Sequence, residues 1–278
     1  MAAQQMPGRE DEIRALLATV SDPELDEPVT ELGFVTAIRV SAEGDVEIGF
    51  RLPTYWCAAN FAFMMAEDMR AAAFGAAWVR GVRVVLDEHM YAEAVNRGMA
   101  EGLSFREAFG AEANDDLAEV RRTFTMKAFQ RRQLALIEHL RAAGVDAESI
   151  LGLDLASLRR MPLDAGGDLL RARYLEKRAI AGAAGLADPA FVDGKGEPIA
   201  VDGLAAHLRA CRRVAVNGEF NGALCRDLLA ARYGEDSCRA AGMSEPAPGG
   251  VMDSSREPSF VDFLRAAVHE RAAAVPQR

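Results

Sequence analysis

Strict alternation of apolar and polar residues is confined to one part of this chain, and it limits where a sheet can form. Val46, Ile48, Phe50 and Leu52 alternate with Glu47, Gly49 and Arg51, and Pro53 follows. A period of two puts the four apolar side chains on one face of a strand, and proline has no N–H to continue the ladder. Ahead of it, Phe34, Thr36, Ile38 and Val40 fall on one face, and Glu43, Gly44 and Asp45 supply a turn, so the two stretches make a hairpin. A third strand fits 78–86, where Val82, Val84 and Leu86 alternate. After Asp87 the strand signals largely vanish.

Helical spacing fills the rest. Residues 9–20 carry Ile13, Leu16, Leu17 and Val20 one turn apart, and Ser21-Asp22-Pro23-Glu24 ends that run because a residue before proline avoids helix. Residues 58–74 carry a stripe of Phe61, Met64, Met65, Met69 and Ala72, with Gly75 as a stop. The order helix, strand, strand, helix, strand predicts an α+β domain with a small mixed sheet over 9–105. A mostly α-helical region over 106–241 follows. One or two short helices fit 90–110, and a long helix runs from Asn114, a good N-cap, to 143, closed by Gly144. Shorter helices fit 146–160, 165–182, 202–213 and 219–233. Only 191–192 and 198–201 read as extended, around Asp193-Gly194-Lys195-Gly196. Residues 242–258 read as a linker and 259–274 as an amphipathic helix with Phe260, Phe263, Leu264 and Val268 on one side.

With 278 residues and a net charge of −10, the chain lacks the basic surface that nucleic acid requires. It has no run of 18 apolar residues to span a membrane, and residues 1–14 have no apolar signal core, so a cytoplasmic location is expected. Cys57, Cys211, Cys225 and Cys238 lie far apart with no CxxC pair, and a reducing compartment disfavours disulfides.

Cys57 is the first chemical candidate. It ends the loop Thr54-Tyr55-Trp56 and sits at the start of a helix, where N–H groups and the dipole favour a thiolate. The plainer reading is a buried cysteine serving as a small apolar residue. Asp22, Glu24 and Glu31 lie in an acid-rich loop over 21–33. Carboxylates there suit a hard cation, or Asp22 caps a local turn while the others are solvated. His207 and Cys211, four apart, share a helical face and offer two metal ligands, but no recognised ligand spacing is present. Arg121, Arg122, Arg131 and Arg132 form a basic stretch suited either to solvent or to docking on an acidic client. Ser, His and Asp form no recognisable nucleophile arrangement.

Ser21-Asp22-Pro23-Glu24, then Glu31-Leu32-Gly33-Phe34-Val35, the hairpin, the Thr54-to-Cys57 loop opening a helix, and Val79-Arg80-Gly81-Val82 together resemble the small iron–sulfur cluster assembly family of the SufT and PaaD kind. The likeness covers about a third of the chain. It implies an α+β fold, a role in metal-centre maturation rather than catalysis, and a functional cysteine in the place of Cys57. Asp22, Glu24 and Glu31 take the places of the family's motif acids. The chain departs from the pattern in the bulky Tyr55 and Trp56, which either pack in the core or cover the thiol or dock a client. It departs again at Leu86-Asp87-Glu88-His89-Met90, where His89 is either a helper for a metal at Cys57 or a lone exposed histidine.

The Tyr-Trp-Cys loop and the long helical extension are similar to assembly-type proteins found beside bacterial multicomponent diiron monooxygenases of the propane and phenol type. The resemblance implies a non-catalytic accessory protein whose partners are the monooxygenase hydroxylase subunit and a chaperonin. It would handle iron or a transient iron–sulfur cluster without binding either tightly, and it allows a homodimer. Two rivals stand beside this reading. One is a metal-free scaffold that helps a client fold. The other is a thiol-dependent enzyme using Cys57, for which His89 is the sole nearby base.

Overall fold

The computed structural model describes residues 8–110 and 117–234. The expected linker at 242–258, the helix at 259–274, the Asn114 cap and Cys238 lie outside the described residues.

The first third folds as α1 (Arg9–Leu17), β1 (Val35–Val40), β2 (Asp45–Phe50), α2 (Ala59–Ala73) and β3 (Gly81–Leu86), which is the expected order. β1 and β2 pair antiparallel, whereas β2 and β3 pair parallel with α2 as the crossover, so the three-stranded sheet is mixed. Its inner face buries Val46, Ile48, Phe50, Val84 and Leu86 against Ile13, Leu17, Met65 and Met69 of the two helices. Burying side chains of this size contributes roughly 1.5–3 kcal/mol each. The outer face is polar, with Glu47 between Arg39 and Arg83 at 2.6 Å from each.

One strand residue departs from the expected pattern. Thr36 is exposed rather than sharing the inner face with Ile38 and Val40. The register shifts between Val35 and Ala37, and a bulge there turns the intervening side chain outward, toward Gly49.

Two short helices, α3 (Ala92–Glu101) and α4 (Phe105–Phe109), finish this layer. Asn96 of α3 stands in for a neighbouring strand at the end of β3. Its Oδ1 accepts from the Leu86 N–H at 2.8 Å and its Nδ2 donates to the Leu86 carbonyl at 3.1 Å.

The remainder is helical: α5 (Leu117–Ala142), α6 (Ala147–Leu151), α7 (Leu155–Arg160), α8 (Ala165–Lys177), a 3₁₀ turn (Arg178–Ala181) and α9 (Leu204–Tyr233). Asp146, Asp154 and Asp164 each begin a helix by accepting the N–H three residues on. A second core forms around Tyr174, stacked between Phe129 and Phe191 at 5.8 and 5.5 Å. The expected helices at 202–213 and 219–233 are a single helix of 30 residues. Packing at both ends overrides the weak helix formers Asn217 and Gly218. Leu204, Leu208 and Cys211 join the second core, whereas Leu229 is buried in the first.

The two cores are joined by a buried ion pair. Asp26 accepts from Arg132 Nε at 2.7 Å and Nη2 at 2.8 Å, and both side chains are nearly inaccessible, at 7% and 8% exposure. Arg132 also reaches Glu176, and Arg173 donates to the Asp26 carbonyl. Asp26 adopts a positive φ of 56°, a region that aspartate tolerates better than most residues. Asp26→Ala therefore leaves a buried guanidinium without its carboxylate. Urea denaturation should show a loss of about 3–5 kcal/mol for Asp26→Ala, largely recovered in the Asp26→Ala/Arg132→Met double variant. Equal losses in the single and double variants would mean that the pair is energetically idle.

Candidate functional site

The loop between β2 and α2 carries the thiol. Leu52 is buried, Pro53 ends the strand pattern, and Cys57 sits one residue ahead of Ala58, the N-cap of α2. The thiol is half-buried, and the Thr54 hydroxyl lies 3.0 Å from its sulfur. One backbone bond and one side-chain bond tie the loop to the segment after β3. The Tyr55 carbonyl accepts from the Met90 N–H, and the Cys57 carbonyl accepts from His89 Nε2 at 2.9 Å.

His89 is not the lone exposed histidine of the plainer reading. It is buried, and its Nδ1 accepts from the Tyr91 N–H at 3.2 Å. With Nε2–H facing one carbonyl and Nδ1 facing one amide, the ring is neutral and both nitrogens are engaged. Burial holds its pKa below the ordinary imidazole value, although the bond to Cys57 opposes this. His89 therefore fixes the shape of the Cys57 loop and offers neither a metal ligand nor a base. The neighbouring Glu88 adopts a φ of 47°, and its carbonyl accepts from Arg232 of α9 at 2.7 Å.

Tyr55 and Trp56 do not pack in the core. They are 52% and 71% exposed, and Met90, bonded to Tyr55 through the backbone, is 48% exposed. Three large apolar side chains thus stand in solvent beside the thiol.

The acidic loop behaves as a docking element. Asp22 is buried, and its Oδ1 accepts from the N–H groups of Glu24 and Leu25 at 2.8 Å each, which is the local turn of the plainer reading. Burial pushes its pKa up to about 6 despite those two bonds. Glu24 accepts from Asn221 through its carboxylate and from Arg131 through its carbonyl, and Glu27 pairs with Arg226 at 2.6 Å. Glu31 is exposed. Arg121 holds Asp68 at 2.6 Å. The acidic client expected for Arg131 and Arg132 is in part this chain's own loop.

α9 also brings Cys225 to this region. Cys225 lies between Asn221, bonded to Glu24, and Arg232, bonded to the carbonyls of Leu52 and Glu88. Cys225 and Cys57 pack against the same core. Burial, together with the charges of Asp22, Cys57 and Glu24, pushes the Cys225 thiol up to about 12. Only the helical period of 218, 221, 222, 225 and 229, running into the first core through Leu229, could have pointed to it.

His207 and Cys211 do share a helical face. Nε2 of His207 lies 3.5 Å from the Cys211 sulfur and 2.6 Å from Gln133 Oε1. Gln133 is wholly buried and also donates to the Val192 carbonyl, so the pair belongs to a polar network inside the second core. Burial pushes the Cys211 thiol up to about 11. Among the described residues, no group of three His, Cys, Asp or Glu side chains is placed to hold a metal ion. No described helix is long and apolar enough to cross a membrane. Iron or a cluster at Cys57 would therefore be held by one thiolate, with its other ligands supplied from outside this set.

Residues 10–86 match the family model described as iron-sulfur cluster assembly protein. The matched stretch runs from α1 to the last residue of β3 and contains Cys57 and all the motif acids, while the helical region lies beyond it. The match supports a role for this domain in iron–sulfur cluster assembly or maturation. No curated protein and no solved structure matches the chain.

Two outcomes follow from the burial pattern. A folded-state pKa for Asp22 raised from 3.8 to about 6 means that the folded chain binds the proton more tightly, so stability is lost as pH rises through this window. Asp22→Asn keeps the turn's acceptor and removes the charge. It should flatten the pH 4–6 stability slope by up to ~3 kcal/mol in urea melts, and an unchanged slope would contradict the assignment. Alkylation of native protein at pH 8, mapped by peptide mass, should label Cys57 well before Cys211 and Cys225, whose thiols burial keeps protonated.

Proposed function

We propose that this protein is a non-catalytic maturation factor for a metalloenzyme, and most concretely for the diiron hydroxylase of a bacterial multicomponent monooxygenase. The observation that carries the reading is the half-buried Cys57 thiol at the mouth of α2, inside the segment that matches the iron–sulfur cluster assembly family. A single thiolate with no closed ligand set holds iron weakly, as delivery requires, whereas four thiolates would retain it. Tyr55, Trp56 and Met90 supply an apolar contact surface beside the thiol for the client or its chaperonin. The helical region adds client specificity.

The metal-free scaffold remains the second reading. It is favoured by the loop acids, which bond to arginines and amides of this chain instead of converging on Cys57. A thiol-dependent enzyme is less well supported, because His89 has both ring nitrogens engaged.

Co-expression of the hydroxylase with this protein separates the readings. Wild type should raise hydroxylase activity and iron content together. Cys57→Ser should lose at least half of that gain in iron, and Trp56→Ala should weaken co-purification of the two proteins. A Cys57→Ser variant as effective as wild type would replace iron handling with the scaffold reading. No effect of either protein would remove this client.

A further inference from the structure

A cleft of about 240 Å³ lies between α5 and α9, and no residue of the Cys57 loop lines it. Its α5 wall carries Phe124, Lys127 and Arg131, spaced so that all three share a helix face. Its α9 wall carries Phe220 and Asn217, and Glu24 lies at one side.

The two cations differ from their neighbours on the same helix. Arg121 and Arg132 each hold carboxylates at about hydrogen-bond distance. Among the described residues, neither Lys127 nor Arg131 has a carboxylate within ion-pair distance. Lys127 lies over the Phe124 ring, 4.1 Å from its centroid. Arg131 donates through Nη2 to the Glu24 carbonyl, and its buried Nε has no partner among the described residues. Asp26, Glu27 and Asp22 act on its charge only at longer range, and burial opposes that charge most strongly. A buried N–H without an acceptor costs about 1–3 kcal/mol, more on a charged group. Gly218 makes this position available, because a Cβ there would overlap the guanidinium. The carboxylate of Glu24 is turned to Asn221, at 2.9 Å.

We propose that this cleft binds a small carboxylic acid with an apolar body. The carboxylate lies between the Lys127 ammonium and the Arg131 guanidinium, and the body rests against Phe124 and Phe220. A monoanion suits the cleft better than a phosphate dianion, since Glu24 leaves a net charge near +1 and the two rings require an apolar ligand. The volume admits one small molecule rather than a protein surface. The assignment does not depend on the role of Cys57.

Benzoate is the probe, and benzamide its neutral isostere. Titration calorimetry on the full chain should give saturable 1:1 binding of benzoate, with benzamide at least about tenfold weaker, as expected for losing a charge-assisted bond. Lys127 and Phe220 are exposed, so Lys127→Gln and Phe220→Ala keep the fold. Each should weaken benzoate about tenfold. No saturable binding of benzoate, equal binding of benzamide, or unchanged affinity in either variant overturns the proposal.

Discussion

The bidentate contact between Asp26 and Arg132 joins two cores, one built mainly from the first third of the chain and the other from the helical region, with α9 reaching into both. Taking both charges out of water is expensive, and the geometry offsets that cost because Arg132 Nη1 also donates to Glu176 and to the Arg173 carbonyl. Such a pair tolerates few alternative arrangements. With Asp26 held, the acidic loop has one orientation, and the neighbouring bonds from Arg131, Asn221 and Arg226 follow from it. The long span of α9 then lies along the first domain, with Leu229 buried in its core.

This arrangement shapes the chemistry of the candidate site. Within the acidic loop, Asp26 and Glu27 pair with arginines of the helical region, the Glu24 carboxylate accepts from Asn221, and Asp22 accepts from its own turn, so these acids do not converge on a cation. What stays accessible is the Cys57 loop, held by His89 and by the backbone bond from Met90, next to the strained Glu88. Strain of that kind persists only where the surroundings over-determine it, here through Arg232 bonded to the Glu88 carbonyl. Under the proposed function, the helical region protects one face of the assembly domain and leaves the thiol and the two aromatics to meet a client.

Buried polarity elsewhere serves the fold. In the second core, Gln133 links His207, Tyr174 and the Val192 carbonyl. The Tyr174 hydroxyl donates to the Ala190 carbonyl at 2.6 Å. A network satisfied in this way specifies one packing of α5 against α8 and α9, and it explains why His207 and Cys211 look like ligands in the sequence yet act as core.

The elements of the first domain were legible without a structure, because alternation at 46–52 and helical spacing at 58–74 report local burial residue by residue. The placement of Cys57 ahead of a helix was legible for the same reason. Thr36 was not, since a bulge reverses a side chain without changing the pattern around it. Nor was the union of 202–213 with 219–233, where packing at both ends outweighs the weak helix formers in between. The linear chain determined the α+β domain, the helical extension and the candidate thiol. Only tertiary structure decided that Asp26 and Glu27 of the acidic loop face arginines, that His89 is sealed, that Trp56 is bare and that Cys225 lies beside the first core. Those facts depend on pairings more than 30 residues apart, and local periodicity carries no information at that range.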